Sequence, residues 1–205
     1  MEVSEATISK FSKYMELVLS WNEKVNLTSI TDESDFIEKH FIDSILCANF
    51  EELRIAGKVI DVGTGAGFPG APLALAFPEK QFLLIDSTGK KIRILDEIIK
   101  AIDISNVTTL HARAEELARK GEYKEKFDLC VSRAVADLAA LSGYCLPFVK
   151  AGGSFIAYKG PDVNGELRKA GKAIKNFGGE LAVVRKVSIE GCGLDHSFVV
   201  IKKTK

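Results

Sequence analysis

A 205-residue chain with 46% hydrophobic and 27% charged residues is long enough for one α/β core plus a small accessory region. Its 28 basic and 28 acidic residues cancel, so composition alone does not advertise nucleic-acid binding. The charge is polarised, however: residues 1–50 carry 4 Lys/Arg against 9 Asp/Glu, and residues 159–205 carry 10 against 5. Such a chain can meet RNA through one face while staying neutral overall, or it can simply carry a solvated basic helix and tail. The opening Met1-Glu2-Val3-Ser4-Glu5 lacks the basic start and apolar core of a signal peptide, and no apolar stretch approaches spanning length. A cytoplasmic, monomeric protein with no membrane partner is expected. The cysteines at 47, 130, 145 and 192 form no C-x-x-C pair and build no metal site with His40, His111 and His196. Cys130 and Cys145 read as reduced core residues.

In chain order, Ile8, Phe11, Met15, Val18 and Leu19 recur at helical spacing over residues 4–20, with Ser4 as the N-cap. Trp21 to Thr28 reads as a polar connection. A second helix starts near Thr31 or Asp32 and runs to about Ala48, with Ile37, Phe41 and Ile45 on one face. Residues 1–50 thus form a helical cap ahead of a second unit, 51–205. From Lys58, strands (58–62, 81–86, 107–110, 127–131, 153–158) alternate with helices (70–77, 88–102, 113–120, 135–149), the signature of a parallel sheet covered on both faces. A basic helix at 162–177 follows. Extended segments at 180–189 and 196–203, joined by the turn Gly191 to Asp195, close the chain as an antiparallel hairpin.

The apolar run Val59-Ile60 breaks into Asp61-Val62-Gly63-Thr64-Gly65-Ala66-Gly67-Phe68-Pro69-Gly70. Glycine serves where backbone adopts positive φ or approaches a ligand, and the following helix start offers amides to an anionic group. Two cofactor readings compete. Gly65-Ala66-Gly67-Phe68-Pro69-Gly70 satisfies G-x-G-x-x-G, with Asp86 placed as a dinucleotide fold requires. The overlapping Asp61-x-Gly63-x-Gly65-x-Gly67 is the pattern of class I methyltransferases that use S-adenosylmethionine (AdoMet), and it also employs Asp61. The closing hairpin favours the second reading, a Rossmann-like, mostly parallel seven-stranded sheet.

Ligands of such sheets bind beyond the carboxyl ends of the strands. Asp86, followed by Ser87, ends the second strand, where a carboxylate can accept both ribose hydroxyls; its alternative role is to cap the next helix. Ala114 and Glu115 follow the third strand and can read an adenine edge, although an acid in a first helical turn is favourable by itself. Ser132-Arg133-Ala134 and Tyr158-Lys159-Gly160-Pro161 end the fourth and fifth strands on the acceptor side. Arg133 and Lys159 there suit an anionic or carbonyl-rich substrate, with Lys90, Lys91, Lys169 and Lys172 as outlying cations. The Asn-Pro-Pro-Tyr motif of amine-directed methyltransferases is absent, and neither a Ser-His-Asp nor a Cys-His arrangement stands out, so no catalytic acid or base is assigned.

Trp21-Asn22-x-x-x-Asn26-Leu27-Thr28, Lys39-His40-x-x-Asp43-Ser44, the glycine stretch, Asp86-Ser87-x-x-Lys90-Lys91, Ala114-Glu115, Ser132-Arg133-Ala134 and Tyr158-Lys159-Gly160 together resemble the RsmG (GidB) family. The resemblance runs from about residue 21 to the C-terminus. These are bacterial methyltransferases acting on guanine N7 in a loop of 16S ribosomal RNA. The resemblance implies AdoMet contacts at Gly63, Phe68, Ala114, Glu115 and Arg133, and draws Asn26 and His40 toward the substrate. His40 reads equally as a satisfied interface histidine. Asp195-His196 departs from the family pattern, where a basic residue is common. Methylation of a small molecule or protein, and a binding module that holds AdoMet or a nucleotide without turnover, are the competing functions.

Overall fold

The computed structural model describes residues 4–189 and 193–205. Helix α1 (Glu5–Asn22) is capped by Ser4, whose hydroxyl accepts from the Thr7 amide. The second cap helix is broken into turns of different pitch: α2 (Glu33–Phe36), a π-helical turn (Ile37–Ile42), α3 (Asp43–Ile45) and a 3₁₀ turn (Leu46–Asn49). A short helix α4 (Glu51–Ile55), which the sequence periodicity does not disclose, leads into the sheet. Then follow β1 (Lys58–Val62), α5 (Gly70–Ala76), β2 (Gln81–Asp86), α6 (Gly89–Ala101), β3 (Val107–His111), α7 (Ala114–Leu117), β4 (Phe127–Arg133), α8 (Leu138–Cys145), β5 (Val149–Lys159), α9 (Asn164–Asn176), β6 (Gly179–Ile189) and β7 (Leu194–Lys203).

The seven strands lie in the order β3-β2-β1-β4-β5-β7-β6, with β7 antiparallel to both neighbours and the other pairs parallel. Chain order reverses between β1 and β4, so the crevice beyond those two strand ends is where a ligand belongs. Alternation along the strands splits the core in two. Val59, Leu129, Val131 and Ile156 face α1, α5, α6 and the cap, while Ile60, Val62, Cys130 and Phe155 face α8 and α9. Residues before 50 therefore share the first of these cores, packing on α5 and α6.

Several expected boundaries move. α8 begins at Leu138 because Asp137 caps it, accepting from the Ala139 and Ala140 amides, and Pro147 lies in the 3₁₀ turn that ends it. β5 starts earlier than expected, since Val149 pairs with Phe127 ahead of a register shift. The expected 113–120 helix shrinks to the four residues of α7. Leu194 and Asp195 pair in β7 rather than turning; Gly191 and Cys192 lie outside the described residues. Cys47, Cys130 and Cys145 are buried free thiols. Among the described residues no helix is long and apolar enough to cross a membrane.

Candidate cofactor and acceptor site

Two adjoining cavities open at the β1–β4 switch point. One, of about 210 Å³, is lined by Gly63, Asp86, Ser87, Ala114, Glu115, Val135 and Tyr144 among others. The second, of about 360 Å³, is lined by Leu27, Thr28, His40, Gly63, Gly65, Phe68, Asp86, Ser87, Lys91, Arg133 and Val135. Gly63, Asp86, Ser87 and Val135 belong to both, so the two form one bent cleft.

The glycine loop is built by hydrogen bonds that leave its cleft side open. Asp61 is fully buried, and its Oδ2 accepts from the Thr64 hydroxyl at 2.6 Å and the Gly70 amide at 2.9 Å. Burial pushes its carboxyl up to about 6, against the opposing pull of those bonds. Asp61 Oδ2 thus faces the start of α5, and Asp61 is not among the residues that line the cleft, while its buried Oδ1 has no partner among the described residues. Asp61 also occupies the Gly70 amide, one of the helix-start donors that the sequence offers to an anion. Gly70, the last glycine of G-x-G-x-x-G, is a packing residue: a Cβ there would stand 2.1 Å from Leu84 Cδ2 and 2.8 Å from Asp61 Oδ2.

Gly67 also leaves the cleft. Its φ is +98°, and a Cβ there would stand 2.0 Å from the Tyr14 hydroxyl, so its lack of a side chain serves the approach of α1. Gly65 is different: at φ +58° it lines the cleft, and a Cβ would meet nothing within 4 Å. Asp86 Oδ2 accepts from the Gly65 amide (2.9 Å) and Oδ1 from the Thr88 amide (2.7 Å). Thr88, rather than Asp86, occupies the N-cap position of α6. Each Asp86 oxygen keeps lone-pair capacity toward the cleft. His111, which sequence reasoning left idle, has Nε2 3.0 Å from the Ser87 carbonyl and braces that turn.

Arg133 joins the cleft to the cap. Its Nη1 donates to the Lys39 carbonyl (3.0 Å) and ion-pairs with the buried Asp43, and its Nη2 lies 3.1 Å from His40 Nδ1. Among the described residues its Nε–H and second Nη2–H have no partner. His40 stacks flat on Phe68 (centroids 4.2 Å apart, planes within 3°) and touches the Thr28 hydroxyl through Nε2 at 2.7 Å. Burial and the Arg133 charge lower it to about 4. His40 is thus both a satisfied interface histidine and a cleft residue. His196, the departure from the family pattern, lies with Nε2 3.0 Å from Asp43 Oδ1 and Nδ1 3.2 Å from the Lys159 carbonyl.

Three expected substrate contacts stand elsewhere. The Lys159 ammonium is tied to the Ala136 carbonyl (2.7 Å) and Glu166 (2.7 Å), because its buried stem leaves it to be satisfied internally. Asn26 is exposed and off the cleft, since the Asn22 carboxamide accepts the Leu27 and Thr28 amides and turns those residues inward instead. Lys90 is exposed one position too early on α6; Lys91 reaches the cleft. Thr28, Val135 and Tyr144 line it unexpectedly, and only Thr28 had a signal, its place in the Trp21–Thr28 motif.

The profile of the family described as rRNA small subunit methyltransferase G (GidB) matches residues 7–192. The chain belongs to this family. Similar family members include the ribosomal RNA small subunit methyltransferase G of Clostridium novyi, 50% identical over 205 residues, spanning all of this chain and 84% of that one. That of Clostridium tetani is 45% identical over 98% of this chain and 84% of its own length. Solved structures share the fold at low identity. Fibrillarin of Methanococcus jannaschii superposes with a TM-score of 0.62 (16% identity, 82% of this chain, 77% of that one). TYW2 of the same organism, solved with AdoMet, gives 0.59 (19% identity, 85% and 79%). The family's glycine stretch is thus carried here on a class I methyltransferase fold.

Proposed function

We propose that the protein transfers the methyl group of AdoMet to N7 of a guanine in 16S ribosomal RNA, acting in the cytoplasm as a monomer. The observation that carries this reading is the Asp61 carboxylate seated on the Gly70 amide. With the helix start already taken by an anion, the loop suits a ligand without pyrophosphate. The names carried by the family members point to ribosomal RNA as the acceptor.

The cleft residues fit AdoMet. Asp86 and Glu115 bring carboxylates to a group that bears hydroxyls and positive charge, and Gly65 leaves room where a side chain would intrude. Asp86 would hold the ribose, Ala114 and Glu115 the adenine, and Gly63 and Gly65 the methionine end. Bound there, AdoMet supplies an electrophilic methyl on sulfonium, and guanine N7 receives it with a lone pair that carries no proton. The protein then needs no general base. Its residues align the two partners and exclude water, which by itself accounts for large accelerations.

Mass-spectrometric mapping of 16S RNA from cells with and without the gene tests the product. A methyl on guanine N1, N2 or a ribose oxygen would overturn the N7 assignment. Calorimetric titration that detects NADH binding and no AdoMet binding would overturn the methyltransferase reading itself.

A further inference from the structure

The hydrogen bonds running from Arg133 to the cap have a forced direction. A guanidinium only donates. His40 Nδ1, 3.1 Å from Arg133 Nη2, therefore accepts, and in the neutral ring the proton sits on Nε2. Nε2–H then donates to the Thr28 hydroxyl oxygen at 2.7 Å. The same oxygen also accepts from the Ile30 amide at 3.1 Å. Thr28 Oγ1 is thus an acceptor twice over, and its own O–H proton can return to neither partner. Among the described residues no acceptor takes that proton, and Thr28 lines the cleft together with Phe68 and Arg133. A flip of the ring within its stack on Phe68 would set carbon atoms against both Arg133 and Thr28, so the two hydrogen bonds hold the relay in this direction. Burial beside Arg133 keeps it neutral at physiological pH.

We propose that Thr28 is the specificity-determining donor of this site, and that its hydroxyl reads O6 of the target guanine. The inference rests on the guanine-N7 reading above. Guanine presents N7 and O6 side by side, both acceptors, whereas adenine presents N7 beside an amino donor. A hydroxyl locked as a donor accepts the first edge and opposes the second, donor against donor. It holds O6 while N7 stays free to react, a role that the tied ammonium of Lys159 cannot take.

The test combines Thr28→Val, Thr28→Ser and RNA carrying 2-aminopurine, which keeps N7 and lacks O6, in place of the mapped target guanine. Single-turnover rates and AdoMet affinity are measured for each pair. The wild-type protein should lose about tenfold or more in kcat/KM on 2-aminopurine, as expected for one unmade hydrogen bond at a partly buried group. Thr28→Val should lose a similar factor on guanine, with AdoMet affinity unchanged and no further loss on 2-aminopurine. Thr28→Ser should recover most of the rate. Equal wild-type rates on the two bases, or losses that multiply in the combined case, would overturn the proposal without any appeal to the folding of a variant. So would a tenfold weaker AdoMet affinity in Thr28→Val, which would assign the hydroxyl to the cofactor's carboxylate. Failure of the underlying reading shows separately, as absence of N7 methylation by the wild-type protein.

Discussion

Arg133, at the end of β4, and Asp43, in the cap, form an ion pair across 90 positions of sequence, with side chains 14% and 4% exposed. The pair is the electrostatic seam between the helical cap and the sheet, and it holds Arg133 at the wall of the cleft. A buried pair tolerates loss of both members better than loss of one. Asp43→Ala should therefore cost about 3–5 kcal/mol in urea denaturation by leaving Arg133 uncompensated. Arg133→Met combined with Asp43→Ala should recover part of that loss. Additive losses would show that the two residues act independently.

The glycines of the loop should separate into packing and cleft positions. Gly67→Ala forces a Cβ against Tyr14 and Leu95 at positive φ, and should cost about 3 kcal/mol. Gly65→Ala carries only the backbone strain of about 1–2 kcal/mol, because its Cβ meets no protein atom. Its effect should fall on AdoMet affinity instead. Thermal denaturation and calorimetric titration of the two variants distinguish these outcomes; the same stability loss in both would refute the division.

Tyr14 carries the cap's grip on the loop: its hydroxyl donates to the Ala66 carbonyl at 2.5 Å, and burial raises its pKa far above the usual phenol range. Tyr14→Phe leaves that buried carbonyl unpaired and should cost about 1–3 kcal/mol. Because Ala66 lines the cleft, AdoMet should bind more weakly as well. A variant with reduced stability and undiminished affinity would show that α1 only supports the fold.

His40 and Asp61 should give opposite pH signatures. His40 falls from 6.5 in the unfolded chain to about 4 in the fold, so its contribution is full above the first value and is lost as pH falls through the second. Asp61 rises from 3.8 to about 6, so its contribution is full below 3.8 and is lost as pH rises through 6. The stability advantage of wild type over His40→Gln should shrink between about pH 7 and about pH 4.5, while that over Asp61→Asn should grow. Denaturant titrations at both values that show pH-independent differences would contradict both shifts.

Lys159 and Lys91 should exchange the roles that their sequence positions suggest. Lys159→Met breaks the buried contacts to Ala136 and Glu166, so it should cost about 1–3 kcal/mol of stability and leave the salt dependence of RNA binding unchanged. Lys91→Ala should reduce the slope of log affinity against log salt by about 1, as for one phosphate contact. A smaller slope in Lys159→Met would return that residue to the RNA interface.

The sequence by itself determined the sheet, its closing hairpin and the loop that follows β1. Those features rest on local chemistry: alternating apolar runs, glycine at positive φ, and Asp86 at a strand end. The ordered motifs also determined the family. Tertiary structure decided which motif residues face the cleft. Asp61 and Gly67 share the spacing of Gly63 and Gly65, yet they turn toward α5 and α1, because partners far along the chain take up their carboxylate and their missing side chain. Lys159 reads as a free cation until Glu166 and the Ala136 carbonyl are folded against it. Thr28 gains a direction only when His40 and Arg133, from two other segments, meet at its hydroxyl. Spacing records where a strand or helix ends; the direction of a hydrogen bond and the pairing of a charge depend on the other end, which only folding supplies.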